Sequence, residues 1–419
     1  MTSTSAPPSV ASGTVLPVPP TLAAAQRRVV IVVLGALSAV SPFSIDMYLA
    51  AFPQIAADLR TTTAQVSLSI ASYFVGLACG QLVYGPFLDR FGRKPPLYAG
   101  LGLYLLATLA CLVAASVGVL VALRFLQALG GCVAQVAAVA MVRDFFPAAE
   151  GARIFSLLML ILGVSPLLAP TVGGWIAVEL GWRWVFISLF AIVAATIAAV
   201  AVLLPAARAP DRAVVLRPGP VLRTFLGLLR ERAFVTYTLA GACSFAGLFV
   251  YVAGSPIIFM EEFHLGPQAF GRIFALLSVG FIGGNQVNIL LARWFTPARI
   301  FAFALAAQAL IGLVFAVGAA RGWFGLPATV ALLFSLLGCL GFTYPNAAAL
   351  ALAPFTRNVG SASALLGCLQ MGVGAVAAAG VGLLDAHTLA PIIALLAAMA
   401  WLGLGVLVAG RWRGRVAGA

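Results

Sequence analysis

The sequence is poor in charge of either sign and poorest in acid. Its 419 residues include 11 Asp and Glu, 24 Lys and Arg and 2 His; charged residues make up 8% of the chain and hydrophobic residues 63%. So few polar side chains do not cover a water-soluble globule of this length. With a mean hydropathy of +1.11, the chain is expected to be an integral membrane protein. His264 and His387 fall between apolar runs, no Gly-x-Ser-x-Gly string occurs, and a single acid lies deep in an apolar run. A nucleophile elbow and a carboxylate pair are therefore both missing, and an enzyme is not expected. The cysteines, Cys79, Cys111, Cys132, Cys243, Cys339 and Cys368, all sit inside apolar runs and read as small packing residues. That placement argues against a disulfide framework or a zinc site, and no metal or cofactor is expected. Alternating polarity in roughly 10-residue pieces, the mark of a membrane barrel, is also missing.

What the chain does contain is long uncharged runs, near 29–57, 61–88, 95–115, 116–142, 154–178, 184–207, 233–260, 273–292, 300–320, 322–356, 358–384 and 386–410. Each holds the roughly 20 residues a helix needs to cross a hydrocarbon layer about 30 Å thick. The expected fold class is therefore all-α, with twelve transmembrane helices. The net charge of +13 does not point to nucleic acid, because the basic residues sort by side. Nineteen fall on the face of the termini, and only Arg60, Arg183, Arg272 and Arg321 fall on the other. This is the positive-inside pattern, so both termini are expected in the cytoplasm. Residues 1–28 read as a disordered tail without a signal peptide's apolar core, 205–232 as a cytoplasmic linker rich in Arg and Pro, and 411–419 as a second tail.

The linker separates six runs from six, 29–204 from 233–410, and the halves repeat weakly. "YLAAFP" (48–53) returns as "YVAGSP" (251–256), "GLACGQ" (76–81) as "GFIGGN" (280–285), and "VALRF" (121–125) as "VALLF" (330–334), at offsets of 203, 204 and 209. Three ordered matches at nearly constant offset support a duplicated six-helix unit. The matches also expose an asymmetry, since Asp46 corresponds to Phe249 and Arg124 to Leu333. A charge at mid-bilayer costs about 2.5 to 3.5 kcal/mol even on permissive scales. At about 1.5 Å per residue, both charges lie roughly 12 to 17 Å from the outer boundary. They form either a structural ion pair tying helix 1 to helix 4, or a titratable site in which Arg124 keeps Asp46 charged until a proton or substrate competes.

At these strings the sequence resembles a known family. The loop "GPFLDRFGRK" (85–94) is similar to the signature of the major facilitator superfamily. Together with "SPFSIDMYLAAFP" (41–53), "RFLQALGG" (124–131), "SPLLAPTVGG" (165–174) and "SASALLGCLQ" (361–370), it resembles most the Bcr/CflA branch of drug/proton antiporters. The resemblance implies two six-helix pseudo-repeats and export of small amphipathic drugs, of the bicyclomycin or phenicol kind, in exchange for protons. A proton-coupled symporter, or an exporter of a small metabolite, is the alternative. It also implies a conformational latch built from Gly85, Asp89, Arg90, Gly92, Arg93, Lys94 and Asp144. Read from the residues, Gly85 and Gly92 allow close approach and a tight turn, Asp89 faces a helix N-terminus, and Arg90 pairs with Asp144.

On helix 5, Gly163, Pro166, Pro170, Gly173, Gly174 and Ala177 recur at spacings of three and four, as one small-residue face suited to tight packing and bending. In the family this region is the antiporter motif, associated with export. The cavity candidates are uncharged: Tyr48, Gln127, Tyr251, Gln286, Tyr344, Asn346 and Gln370, with a large stock of phenylalanine. Such a lining suits amphipathic, largely apolar molecules, while phosphorylated ones would want more cations than Arg124 alone. Protons, a drug-like substrate and the lipid bilayer are the expected partners, and a monomer the expected state.

Overall fold

Among the described residues every regular element is helical; the computed structural model describes residues 24–205, 218–355, 359–384 and 386–416. The chain runs through α1 (Ala24–Leu49), α2 (Phe52–Asp58), α3 (Thr63–Arg90), α4 (Lys94–Leu112), α5 (Val117–Phe145), α6 (Ala148–Glu179) and α7 (Trp182–Leu203). It continues through α8 (Pro218–Leu228), α9 (Arg232–Pro256), a π-helical turn (Ile257–Glu262), α10 (Pro267–Leu291) and α11 (Pro297–Ala320). The last three helices are α12 (Leu326–Leu352), α13 (Val359–Leu383) and α14 (Leu389–Val416). Eleven of these helices are long and apolar enough to cross a membrane. The 32-residue α6 adds a twelfth of sufficient length, about 48 Å at 1.5 Å per residue.

Local chemistry sets the helix ends. Thr62 caps α3 by accepting from the Gln65 N–H at 3.1 Å, and Ser116 caps α5 through Val119 at 3.4 Å. Proline occupies the first turn of α2, α4, α10, α11 and α12, where its missing N–H has no partner to lose. Gly92 turns the chain from α3 into α4 at φ +81°, which favours glycine.

Several expected boundaries are corrected. The run 29–57 is two helices, α1 and α2, joined by a turn at Ala50 and Ala51. Helix α10 begins at Pro267, so Arg272 is inside a helix and not ahead of it, and α12 begins at Leu326. The part of the linker after residue 217 forms α8, and the basic string that opens the C-terminal tail is helical to Val416, because a helix does not stop where the bilayer does. Helix α1 likewise includes Arg27 and Arg28. Residues 1–23, 206–217 and 417–419 of the expected tails and linker lie outside the described residues.

The packing scheme of the first six long helices recurs in the last six. Helix α1 packs on α5, α6 and α7, as α9 does on α12, α13 and α14; α3 packs on α5 as α10 does on α12; α4 packs on α5 and α7 as α11 does on α12 and α14. The repeated glycines are the reason the second kind of pairing, α3 on α5 and α10 on α12, is close. A Cβ at Gly76 would lie 2.5 Å from the Phe125 carbonyl, and one at Gly280 would lie 2.9 Å from that of Phe334. One turn on, Gly80 faces Cys132, and Gly284 faces the Gly338 carbonyl. These are the positions the sequence repeat aligns.

Two seams join the halves, α3 against α13 and α6 against α10. Near the face opposite the termini, here the far face, Gly382 lies over Ala64 and Leu68, Gly271 over Thr171, and Gly174 over Pro267. Deeper in, Gly163 meets Ile282 and Gly367 meets Gln81. The outward surface is apolar, with Val32, Leu106, Val202 and Phe303 each more than two-thirds exposed, as expected of residues that face lipid.

Candidate functional site

Asp46 lies in the last turn of α1. It is 6% exposed, yet among the described residues its carboxylate makes no hydrogen bond and no ion pair. Ser44 and Tyr48, two positions away on either side, point across the helix, because positions i and i+2 are about 200° apart. Their side of α1 is occupied by Arg124 of α5, which is fully buried. The guanidinium donates from Nη1 to Gln127 Oε1 at 2.6 Å and from Nη2 to the Ser44 carbonyl at 2.9 Å. It also lies 4.5 Å from the centre of the Tyr48 ring and 4.3 Å from that of Tyr73, and Nε has no partner.

The network closes through α4. Gln127 Nε2 donates to Thr108 Oγ1 at 2.7 Å, Thr108 Oγ1 to the Tyr104 carbonyl at 2.6 Å, and the Tyr104 and Ser44 hydroxyls share a 2.6 Å bond. Tyr48 OH meets Ser69 Oγ of α3 at 2.9 Å. The ion pair expected between Asp46 and Arg124 is therefore not formed. Equal depth placed the two charges at one level of the membrane, but the direction of each side chain around its helix puts them on opposite sides of α1. Arg124 is held by neutral acceptors and two aromatic faces, each worth about 0.5 to 2 kcal/mol once desolvated.

On its own side Asp46 faces the second half. Tyr251 of α9 is within electrostatic reach of it, and the buried Tyr251 hydroxyl has no hydrogen-bond partner, although its ring stacks on Phe274 at 5.4 Å. A separate aromatic chain crosses between the halves. Phe74 of α3 contacts Phe249 of α9 at 4.1 Å between centroids, Phe249 meets Phe245 at 5.1 Å, and Phe245 meets Tyr344 of α12 at 4.5 Å.

The expected latch is organised around a different arginine. Arg93, 7% exposed, donates to Asp144 Oδ2 from Nε at 2.7 Å, to Asp144 Oδ1 from Nη2 at 3.3 Å and to Asp89 Oδ1 from Nη1 at 2.8 Å. Burial works against its charge, but the two carboxylates outweigh that and push its pKa further up. Arg93, and not Arg90, is thus the partner of Asp144, since it follows the Gly92 turn and is swung back over the end of α5. Asp89 is engaged by Arg93 and not by a helix end, and Arg90 lies 5.8 Å from the Phe91 ring. Lys94 Nζ donates to the Leu204 carbonyl at 2.7 Å, tying α4 to the end of α7. Gly92 makes the expected turn; Gly85 has no neighbour within 4 Å of where a Cβ would stand, so close approach does not explain it.

A family model described as the Major Facilitator Superfamily matches residues 34–379. The chain belongs to that superfamily. The bicyclomycin resistance protein homolog of Haemophilus influenzae is 32% identical over 373 residues, which cover 87% of this chain and 91% of that protein. The uncharacterized MFS-type transporter YdgK of Bacillus subtilis is 31% identical over 385 residues, 90% of this chain and 94% of its own. The multidrug resistance protein MdtL of Escherichia coli is 29% identical over 344 residues, 80% and 84% of the two chains. A crystal structure of a D-xylose-proton symporter superposes with a TM-score of 0.73 over 92% of this chain and 97% of that one, at 14% identity, and so speaks for the fold alone. The resistance names of two of these relatives agree with the drug/proton antiporter branch that the helix strings resemble.

Within this member of the major facilitator superfamily the small residues of α6, the fifth spanning helix, form two faces and not the expected one. Gly173 abuts the Met47 carbonyl of α1, while Gly163 and Gly174 lie against α10. The helix is continuous through Pro166 and Pro170, and the Ala177 carbonyl accepts from Gln54 Nε2 at 2.8 Å. The cavity candidates also divide. Tyr251 is near Asp46 and stacks on Phe274, Tyr344 ends the aromatic chain that starts at Phe74, and Tyr48 and Gln127 are committed to the Arg124 network. Asn346 donates to Asn288 Oδ1 at 2.6 Å; Gln370 is buried with Nε2 unpartnered; Gln286 is exposed on α10 and not brought to the site. Sequence reasoning missed Tyr73, Tyr104, Thr108 and Ser44, whose only signal is polarity at helical spacing, and Gln81, which closes on Gly367 across the seam.

Proposed function

We propose that this transporter is a proton-coupled efflux antiporter that exports small amphipathic drugs of the bicyclomycin or phenicol class by alternating access. The observation that carries the reading is Asp46, a buried carboxylate without a hydrogen-bond or ionic partner, on the side of α1 that faces the other half. A carboxylate so placed binds a proton readily when substrate is absent, and a substrate or a proton alone satisfies it. Arg124 does not act on it as a counter-ion; it fixes the side of α1 that must stay still while the other side reacts. The halves 29–204 and 233–410 would rock about this level as a monomer. The basic loops lie on the cytoplasmic side of a bacterial inner membrane, and the cluster of Asp89, Arg93 and Asp144 steadies one end of the first half.

The aromatic chain from Phe74 to Tyr344 offers an apolar wall for the substrate. Each proton moving down its gradient supplies about 1.36 kcal/mol per pH unit and about 2.3 kcal/mol per 100 mV, enough for roughly tenfold to several-hundredfold accumulation. The test is transport by the purified protein in liposomes against an antibiotic panel under an imposed pH gradient. Asp46→Asn should fold and bind drug but lose gradient-driven uphill export. Uphill export by that variant, or uptake together with protons by the native protein, would overturn the proposal.

A further inference from the structure

On the face of the termini, the two halves treat their basic residues differently. In the first half Arg27 is paired with Glu150, and Arg93 with Asp89 and Asp144. In the second half no acid occurs between Glu262 and Asp385 or after it, yet that stretch places Arg293, Arg299 and Arg411 on this face. Arg411 Nη2 donates to the Ala298 carbonyl at 2.9 Å, which brings the end of α14 beside the start of α11 and so beside Arg299. All three arginines are exposed. Among the described residues none of the three makes an ion pair.

The surface beneath the corner is built for an apolar chain. Along the outward side of α14, Ala398, Gly405 and Ala409 form the floor of a groove walled by Trp401, Val408 and Trp412, with two overlapping parts of about 680 and 410 Å³. Trp412 is 68% exposed and stands next to Arg411 at the groove's end. From Trp412 to Trp401 is about 16 Å at 1.5 Å per residue, close to the thickness of one leaflet of a hydrocarbon layer about 30 Å across. The neighbouring outward side of α11 carries Arg299 one turn from Phe303, repeating the order of cation above apolar side chain.

We infer that the corner formed by α11 and α14 is a binding site for one anionic glycerophospholipid, its phosphate held by Arg299 and Arg411 and an acyl chain lying in the α14 groove. Charge selects the lipid, since basic residues without acids attract anionic headgroups, and the indole of Trp412 sits at headgroup level. A second copy of the chain would fill the groove but leave the arginines facing arginines.

The site is tested by native mass spectrometry of the purified protein in mixed micelles containing dioleoyl phosphatidylglycerol or dioleoyl phosphatidylcholine. The native protein should retain the phosphatidylglycerol preferentially as a single adduct. The double variant Arg299→Gln, Arg411→Gln should bind it about thirtyfold more weakly. Gly405→Leu, which blocks the groove and leaves the charges in place, should also lower retention, while Arg321→Gln on the far face should leave it unchanged. Thermal unfolding in zwitterionic detergent checks that each variant is folded. Equal retention of the two lipids, indifference to the double variant, displacement by inorganic phosphate alone, or a dimer that Gly405→Leu dissociates would each overturn the inference.

Discussion

In the first half, helices α1, α4 and α5 are tied by Ser44, Tyr104, Thr108, Gln127 and the guanidinium of Arg124; in the second, α9, α11 and α12 are tied by Ser244, Gln308 and Thr343. Ser244 Oγ meets Gln308 Oε1 at 2.7 Å and Thr343 Oγ1 at 2.8 Å, and Gln308 Nε2 returns to the Ser244 carbonyl at 3.3 Å. Both sets are buried and both join the same three kinds of helix. The neutral set shows that three helices of this fold can be cross-linked without a charge. Arg124 is therefore more than a fastener, because burying a cation is the dearer solution to a problem that an amide solves.

The sharpest way to break this comparison is Arg124→Leu. It strands Gln127 Oε1 and the Ser44 carbonyl and removes the partner of two aromatic faces, with an expected loss of about 3 to 5 kcal/mol. Unfolding in mild detergent, followed by tryptophan fluorescence, measures it. A variant as stable as the native protein would mean that the network does not tie the helices. Arg124→Lys should recover only part of the loss, since an ammonium cannot serve two acceptors and two rings in the guanidinium's geometry.

Next in size are the glycine seams, where the halves should respond alike. Gly76→Ala and Gly280→Ala each drive a methyl into an opposing carbonyl, and each should cost about 1 to 3 kcal/mol. Gly85→Ala, with open space around it, should be neutral or stabilise by up to about 1 kcal/mol. A large difference between Gly76→Ala and Gly280→Ala would show that the repeat is one of sequence and not of packing.

The glycine repeat was legible in the sequence because close backbone approach admits one residue type. The long apolar helices were legible because the bilayer imposes their length. The pairing of Asp46 with Arg124 was misread because run boundaries give depth at about 1.5 Å per residue but say nothing of azimuth unless helix neighbours are known. Here the i, i+2 relation of Ser44, Asp46 and Tyr48 held the answer: once Ser44 and Tyr48 are known to face Arg124, Asp46 is known to face away. Arg93 was passed over for Arg90 because the direction of a side chain after a positive-φ glycine depends on a turn that spacing does not specify.

A smaller effect is expected from Gln308→Leu. Ser244 keeps Thr343 as a partner, so the loss should be about 1 to 2 kcal/mol, well below that of Arg124→Leu in the same unfolding assay. Equal losses would remove the distinction between the two networks.

The smallest concerns Asp58 at the far end of the first half. Its carboxyl is held below the usual value by hydrogen bonds from Trp182 Nε1 at 2.9 Å and Arg183 Nη1 at 2.6 Å. A carboxyl with a lowered folded pKa contributes stability that is fully present above its unfolded value of about 3.9 and is lost as pH falls through the folded one. The slope of stability against pH between 5 and 8 should therefore not depend on Asp58, and Asp58→Asn should lower stability evenly across that range and flatten only the acid limb. A change at pH 7 in the slope of stability against pH would contradict this.

The adjacent glycines of α6 have a kinetic consequence. Gly173 rests on α1, in its own half, and Gly174 on α10, in the other, so one step along the chain separates a contact that persists from one that must part when the far face opens. Neither contact contains an interlocked side chain. Dispersion between bare backbones loses roughly a quarter to a half of its strength over a gap of about 0.5 to 1 Å, and no rotamer has to change before the surfaces separate. In the alternating access proposed above, the seam would therefore open by a small displacement of the helix, without repacking of side chains between the halves.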